Sequence, residues 1–178
     1  MTTLYLFPTH EESVALCNLL PQLREQIVVV GVGMAEAGAG AAQAIAERKP
    51  CRVVLCGIAG ACDRRLKVGE VVQVESDRVA GLPEKYSIAY SSSLIEGLCR
   101  VQSLTVNRTG ESLPQVAGDV PFIEQMEGAA VAAVCKVWGV EEYYHLRAIS
   151  NYVDDPRSAW RIGAAVEALA QWLAVCRL

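Results

Sequence analysis

Glu124-Gln-Met-Glu127-Gly-Ala-Ala130, followed by Arg147-Ala-Ile-Ser-Asn151, is the stretch from which the fold of this 178-residue chain can be read. Its first half sets a carboxylate, Glu127, at the mouth of a predicted helix. Its second half sets an arginine, a serine and a carboxamide at the end of the next predicted strand. In an α/β sheet, ligands sit beyond the carboxyl ends of the strands. Polar side chains at two such ends, inside apolar surroundings, point to a small, hydroxyl-rich ligand.

Outward from that stretch, strand and helix patterns alternate. Thr3–Phe7 reads as a strand and Glu11–Leu20 carries apolar residues at helical spacing. Gln26–Val30 reads as a second strand ending in Gly31-Val-Gly33, and Met34–Glu47 as an Ala-rich helix. Gly38 and Gly40 would each weaken that helix by about 1 kcal/mol in isolation, so close packing is expected to compensate. Arg52–Cys56 is a third strand closing on a glycine loop, Gly57-Ile-Ala-Gly60. Glu70–Glu75 alternates and runs into a polar loop around Asp77–Ser93. Ser103–Asn107 and Glu142–Ile149 read as strands flanking a helix over Glu127–Val137. Asp155 is a suitable N-cap and Pro156 a suitable first residue for the last helix, whose apolar stripe is Ala159, Ile162, Val166, Leu169, Trp172 and Leu173. The pattern predicts one α/β domain over residues 1–178, with a central sheet covered by helices on both faces.

Composition excludes several function classes. The hydrophobic fraction is 52% and the net charge −4, with Lys and Arg scattered, so a nucleic-acid partner is not expected. Glu167 and Gln171 interrupt the most apolar segment, so a membrane span is not expected either. Met-Thr-Thr-Leu-Tyr-Leu-Phe-Pro lacks the charged start and apolar core of a signal peptide. The 7 cysteines are odd in number, have no Cys-x-x-Cys spacing and fall mostly in apolar segments, which predicts buried free thiols in a reducing cytoplasm. With 2 histidines, His10 and His145, no metal site and no cofactor are expected.

Individual residues admit more than one role. Gly31-Val-Gly33 with Gly38 does not complete a dinucleotide fingerprint, because the third glycine is displaced. The following strand also ends in Cys56, where a ribose-binding acid would stand. A backbone approach to some other ligand and a tight packing turn both remain open. Gly57-Ile58-Ala59-Gly60 lets a flat ring lie against backbone, or serves as a structural turn. Glu11 and Glu12 open the first helix, where acids are common because of the helix dipole. Glu127, flanked by Met126 and a run of small apolar residues, needs a partner for its charge. Vicinal sugar hydroxyls suit it, since two carboxylate oxygens can accept two O–H donors.

Gly31-x-Gly33, Gly57-Ile-Ala-Gly60 with Leu66-Lys-Val-Gly69-Glu70, Gln125-Met-Glu127-Gly-Ala-Ala and Arg147-Ala-Ile-Ser-Asn151 occur in this order. In this the chain resembles the purine nucleoside phosphorylase and methylthioadenosine/S-adenosylhomocysteine nucleosidase superfamily over nearly its whole length. Leu104-Thr-Val-Asn107-Arg-Thr-Gly110 and the segment Ser150–Ala165 are most similar to the futalosine hydrolases of menaquinone biosynthesis. The resemblance implies a nucleosidase. In it Glu12 would activate the attacking water and Glu127 would hold the ribose 2′- and 3′-hydroxyls, with Met126 and Gln125 beside the sugar. The Gly57–Gly60 loop, Val106 and Asn107 would contact the base, Asn151 would face purine N7 and O6, and Arg147 and Ser150 would orient neighbouring groups. It also implies a purine nucleoside as ligand and a homo-oligomer, dimer or higher. The chain is shorter than usual for the superfamily between Leu23 and Gln26 and between Asp77 and Cys99.

Adenine-specific members carry Asp where this chain has Asn151. A carboxamide cannot protonate N7, but its NH2 can donate to N7 and O6, which favours a 6-oxopurine. A phosphorylase would want a cation beside the glycine loop, where Leu55 and Cys56 stand instead. Phosphorolysis, an adenine nucleosidase and a binding protein without turnover are the competing classes.

Overall fold

The computed structural model describes residues 2–110 and 119–176. Its strands are β1 (Thr3–Phe7), β2 (Ile27–Val29), β3 (Arg52–Ala61), β4 (Val71–Val79), β5 (Tyr90–Ser91), β6 (Arg100–Thr105), β7 (Phe122–Gln125) and β8 (Glu142–Tyr152); its helices are α1 (His10–Leu19), α2 (Gly33–Arg48), α3 (Gly128–Trp138) and α4 (Ile162–Cys176). The strands form one mixed, 8-stranded sheet in the order β2-β1-β3-β7-β6-β4-β5, with β8 paired to both β3 and β4. The expected α/β class, with a central sheet covered by helices on both faces, is therefore observed, and the sheet is mixed.

β8 closes a ring. It runs parallel to β3 and antiparallel to β4; β4 runs parallel to β6, β6 parallel to β7, and β7 antiparallel to the end of β3. β3 and β8 can be shared this way because they are long, 10 and 11 residues. Both are buried almost throughout, as strands covered on two faces must be. On one face α2 and α3 pack through Ala37, Ala41, Ala44, Ile45, Val131, Ala132 and Cys135 onto Leu4, Leu6, Val53 and Leu55. On the other, Leu16 of α1 and Ala165, Leu169, Ala170 and Leu173 of α4 cover Tyr5, Phe7, Val54 and Leu146. The glycines of α2 have packing reasons: Gly40 lies against the Val30 backbone and Gly38 against Ala130 of α3.

Several expectations need correction. Gly57–Gly60 is not a loop at a strand end but the second half of β3, paired with β8 throughout. Asp77 lies inside β4, not in a polar loop, and is 1% exposed. β7 has no apolar alternation and was not anticipated. The last helix starts at Ile162: Asp155 Oδ2 accepts the Tyr152 N–H (2.8 Å) in a turn, and Pro156 has extended ψ of 149°. Ala159 is thus outside the α4 stripe. All seven cysteines are free, but only Cys56 and Cys135 are fully buried, and Cys176 is exposed. The short connection before β2 is a 3-10 turn, Pro21–Gln26.

Candidate active site

Thr-His-Glu-Glu12 follows β1 directly. Thr9, with β-region dihedrals, caps α1 by accepting the Glu12 N–H at 3.2 Å. This first turn lays Glu12 against the sheet. One carboxylate oxygen, Oε1, accepts the Ile58 N–H (3.0 Å), and Oε2 accepts the Thr9 hydroxyl (2.8 Å). Glu12 is 8% exposed, whereas Glu11 is exposed at the cavity rim. Burial pushes the Glu12 carboxyl above the usual carboxylate range, and Arg147 opposes the shift.

Glu127 follows β7 and is the N-cap of α3. Its Oε1 accepts the Gly33 N–H (3.1 Å) at the start of α2, a position where a helix N-terminus favours negative charge. Its Oε2 accepts from Arg147 Nη2 at 3.2 Å. Arg147 is 1% exposed and committed to its neighbours. It also donates to His145 Nε2 (2.9 Å), the Ile58 carbonyl (3.2 Å) and Gln125 Oε1 (3.0 Å). The guanidinium lies over Gly57, the one residue type that leaves it room.

β8 carries a bulge. Ala59 pairs with Ile149 and Gly60 with Asn151, so Ser150 is the extra residue. The bulge lets two consecutive side chains, Ser150 and Asn151, line one cavity. Ser150 Oγ donates to Asn151 Oδ1 (2.7 Å), and Asn151 Nδ2 donates to the Tyr152 carbonyl (2.8 Å). Since a carbonyl only accepts, the amide orientation is determined, and one Nδ2–H remains for another partner.

These groups surround a cavity of about 200 Å³. Of the residues singled out in the sequence, Glu12, Ile58, Ala59, Gly60, Gln125, Met126, Glu127, Arg147, Ser150 and Asn151 line it. Gly57 sits behind Glu12 and Arg147. Val106 is buried, with its N–H on the Gln125 carbonyl (2.8 Å), and Asn107 is exposed; neither belongs to the lining. Strand β6 ends at Thr105, short of the expected Asn107, which turns this pair away from the cavity.

Sequence reasoning missed Thr9, Thr109 and Arg157, which also line the cavity, and three buried polar residues besides. Glu124 is 3% exposed and lines the cavity. Its signal was its position at the start of the Glu-Gln-Met-Glu run. Asp77 and His145 form the floor beneath Arg147. Asp77 Oδ2 accepts from Thr105 Oγ1 and Gln125 Nε2, each at 2.9 Å, and burial raises its pKa to about 6. Burial, then Arg147, drives the His145 pKa well down. Its imidazole is therefore neutral and its Nδ1, 3.9 Å from Asp77 Oδ2, makes no ion pair. Gln125 joins the layers: its two Nε2 protons are shared among Asp77, Ser103 and Thr105, and its Oε1 faces Arg147 and the Glu127 and Gly128 N–H groups. Among the described residues no group of three or more His, Cys, Asp or Glu is placed to hold a metal ion.

No family model matches the sequence, and neither does any curated protein. Solved structures do match. A futalosine hydrolase mutant from Helicobacter pylori superposes with a TM-score of 0.82 at 16% identity, covering 97% of this chain and 96% of that one. A mutant methylthioadenosine nucleosidase from the same organism, with 5′-methylthioadenosine in its active site, gives 0.81 at 15% identity, covering 97% and 96%. The 5′-methylthioadenosine/S-adenosylhomocysteine nucleosidase of Neisseria meningitidis, in complex with methylthio-immucillin-A, gives 0.78 at 18% identity, covering 98% and 97%. The chain shares the fold of these proteins along nearly its full length.

Proposed function

We propose that this chain is a nucleosidase that hydrolyses the N-glycosidic bond of a 6-oxopurine nucleoside, with futalosine as substrate and hypoxanthine and dehypoxanthine futalosine as products. One observation carries the proposal: two buried carboxylates, Glu12 and Glu127, and a carboxamide, Asn151, line the same small cavity, beside Met126 and the Ile58–Gly60 backbone. Each has the partner set its role needs. Glu12, raised by burial and held by Ile58 and Thr9, takes the proton of the attacking water. Glu127, fixed between Gly33 and Arg147, accepts the ribose 2′- and 3′-hydroxyls, and Met126 packs on the sugar. Positive charge grows on the ribose as the bond breaks, by analogy with glycoside hydrolysis. The departing purine gathers negative charge, and the free Nδ2–H of Asn151 meets it on its N7/O6 edge.

Water rather than phosphate suits this lining. The buried guanidinium, Arg147, is committed to four acceptors, which leaves it poorly placed to hold an anion. The second cation of the lining, Arg157, is exposed and stacked 4.2 Å from the Trp160 ring centroid. A cation on an aromatic at the cavity edge fits a nucleoside bearing a carboxylated aromatic group at its 5′ end, as futalosine does. Relatives in fold include proteins solved with adenine and methylthioadenosine, but Asn151 favours a 6-oxopurine over adenine. The proposal includes a homo-oligomer acting in the cytoplasm.

The test is hypoxanthine release from futalosine and from inosine, with and without phosphate. Release from futalosine without phosphate is expected. Release that requires phosphate, or that is equal from inosine, would move the activity to phosphorolysis or to general inosine cleavage. No release from either would overturn the proposal.

A further inference from the structure

Gly60 holds a particular place in the sheet. It pairs with Glu124 on one side, in β7, and with Asn151 on the other, in β8. Two strand spacings, about 10 Å, therefore separate the backbones of Glu124 and Asn151. Their side chains lean back over the bare glycine: a Cβ on Gly60 would lie 3.2 Å from Asn151 Nδ2 and 3.5 Å from Glu124 Cγ. The space above Gly60 belongs to the cavity and has Glu124 on one side and Asn151 on the other, with the apolar Val153 Cγ1 3.3 Å from the same point.

The two flanking groups are opposite in hydrogen-bonding character. Asn151 offers its remaining Nδ2–H, because Oδ1 is taken by Ser150 and the other Nδ2–H by the Tyr152 carbonyl. Glu124 offers an acceptor. Its Oε1 accepts the Gly110 N–H at 2.8 Å, while its Oε2 is buried and meets no hydrogen-bond partner among the described residues. A buried carboxylate oxygen without a partner, at the edge of a cavity, is a costly arrangement unless a ligand completes it.

We propose that Glu124 is the residue that reads the N1 edge of the base: its Oε2 accepts the N1–H of a 6-oxopurine while Asn151 donates to the O6 side. This inference rests on the purine reading above and sharpens it to bases that carry a proton on N1. In 6-oxopurines a donor, N1–H, adjoins an acceptor, O6, which matches Glu124 and Asn151 in order. Adenine reverses both, with an acceptor at N1 and a donor at N6, and so meets the carboxylate lone pairs at N1.

The substitution Glu124→Gln makes a sharp test, because Gly110 N–H demands an oxygen at Oε1 and thereby directs the new NH2 to the Oε2 position. The acceptor becomes a donor with no change in size. Calorimetric binding of hypoxanthine, 1-methylhypoxanthine, unsubstituted purine and adenine reads the effect without turnover. The wild type is expected to bind hypoxanthine about tenfold or more tighter than either 1-methylhypoxanthine or purine, the range for a hydrogen bond to a charged group. Glu124→Gln is expected to erase that preference and bind adenine at least as well as the wild type does. A wild type that binds purine as tightly as hypoxanthine overturns the role of Glu124 and leaves the nucleosidase proposal standing; this arm needs no variant to fold. A hypoxanthine preference that survives in Glu124→Gln overturns it equally. Failure of the wild type to bind any of these bases overturns this inference and the purine reading together.

Discussion

Glu12 shows how a residue with a bland reading in sequence acquires chemistry from its place. An acid in a first helical turn is ordinary, but this one turns inward onto β3 and gives up almost all of its exposure. Its two oxygens are held by Thr9 and Ile58, and its proton affinity is raised by burial. Glu12→Gln keeps both hydrogen-bond positions occupied while removing the base. Nucleoside cleavage is expected to fall about 10²- to 10⁴-fold in kcat, with substrate KM little changed, as measured by steady-state kinetics. In the wild type the ionised form is the active one. The rate should therefore fall as pH drops through a value above the ordinary carboxylate range, and an acid limb at or below that range would speak against Glu12 as the base.

Among the elements, the turn between β7 and α3 is the most tightly built. A methyl on Gly128 would run into Asp77 Oδ2 and His145 Cε1 and approach Gln125 Nε2 to 2.8 Å, so no rearrangement of one side chain alone makes room. Gly128→Ala is expected to cost about 1–3 kcal/mol or more, the range for overpacking a filled interior. Thermal unfolding would show this as a lowered midpoint. Gly139→Ala is the comparison: its Cβ would meet no atom, although its φ of 65° adds some strain of its own.

How far the elements could be read from sequence follows from the same packing. α2 and α3 carry the periodicity of a single buried face and β1 is a short apolar run buried on both, and their expected spans come close to the observed ones. β7 could not be read this way. Its Phe-Ile-Glu-Gln places polar side chains in a sealed interior, where Gln125 has six hydrogen-bonding neighbours around it and Glu124 faces the cavity. Glu12, Glu127, Arg147, Ser150 and Asn151 were singled out through the family resemblance of the motifs that hold them, although periodicity alone could not separate Glu12 from Glu11. Asp77 and His145 were not, because only the ring closure through β4 and β8 brings them under Arg147. The bulge at Ser150 was invisible too, since it depends on the register between two distant strands.

At the scale of the whole molecule, the buried floor ties stability to pH. Folded, Asp77 keeps its proton up to about pH 6; unfolded, it gives it up at the ordinary carboxylate value, near 4. Between those values the folded state binds more protons, so stability falls as pH rises across the window and levels off above it. The change amounts to about 3 kcal/mol. Asp77→Asn, whose carbonyl can still accept from Thr105 and Gln125, removes that titration. The difference in unfolding free energy between the two proteins, measured by denaturant titration from about pH 4 to about pH 7, should shift in favour of the variant with rising pH. A difference that stays constant with pH would show that Asp77 titrates normally in the fold.

Ring closure has one more consequence, for the behaviour of the protein in concentrated solution. A row of unpaired N–H and C=O groups at a sheet edge invites a second chain to add a strand. Here the longest strands, β3 and β8, are buried almost throughout and have partners on both sides, and the path of the sheet ends at Ile27–Val29 and Tyr90–Ser91, stretches of 3 and 2 residues. Such short edges offer little template for another chain. Strand-mediated clumping of this protein should therefore begin with the parting of β8 from β4 or β3, and additives that tighten the ring should protect it better than additives that merely coat the surface.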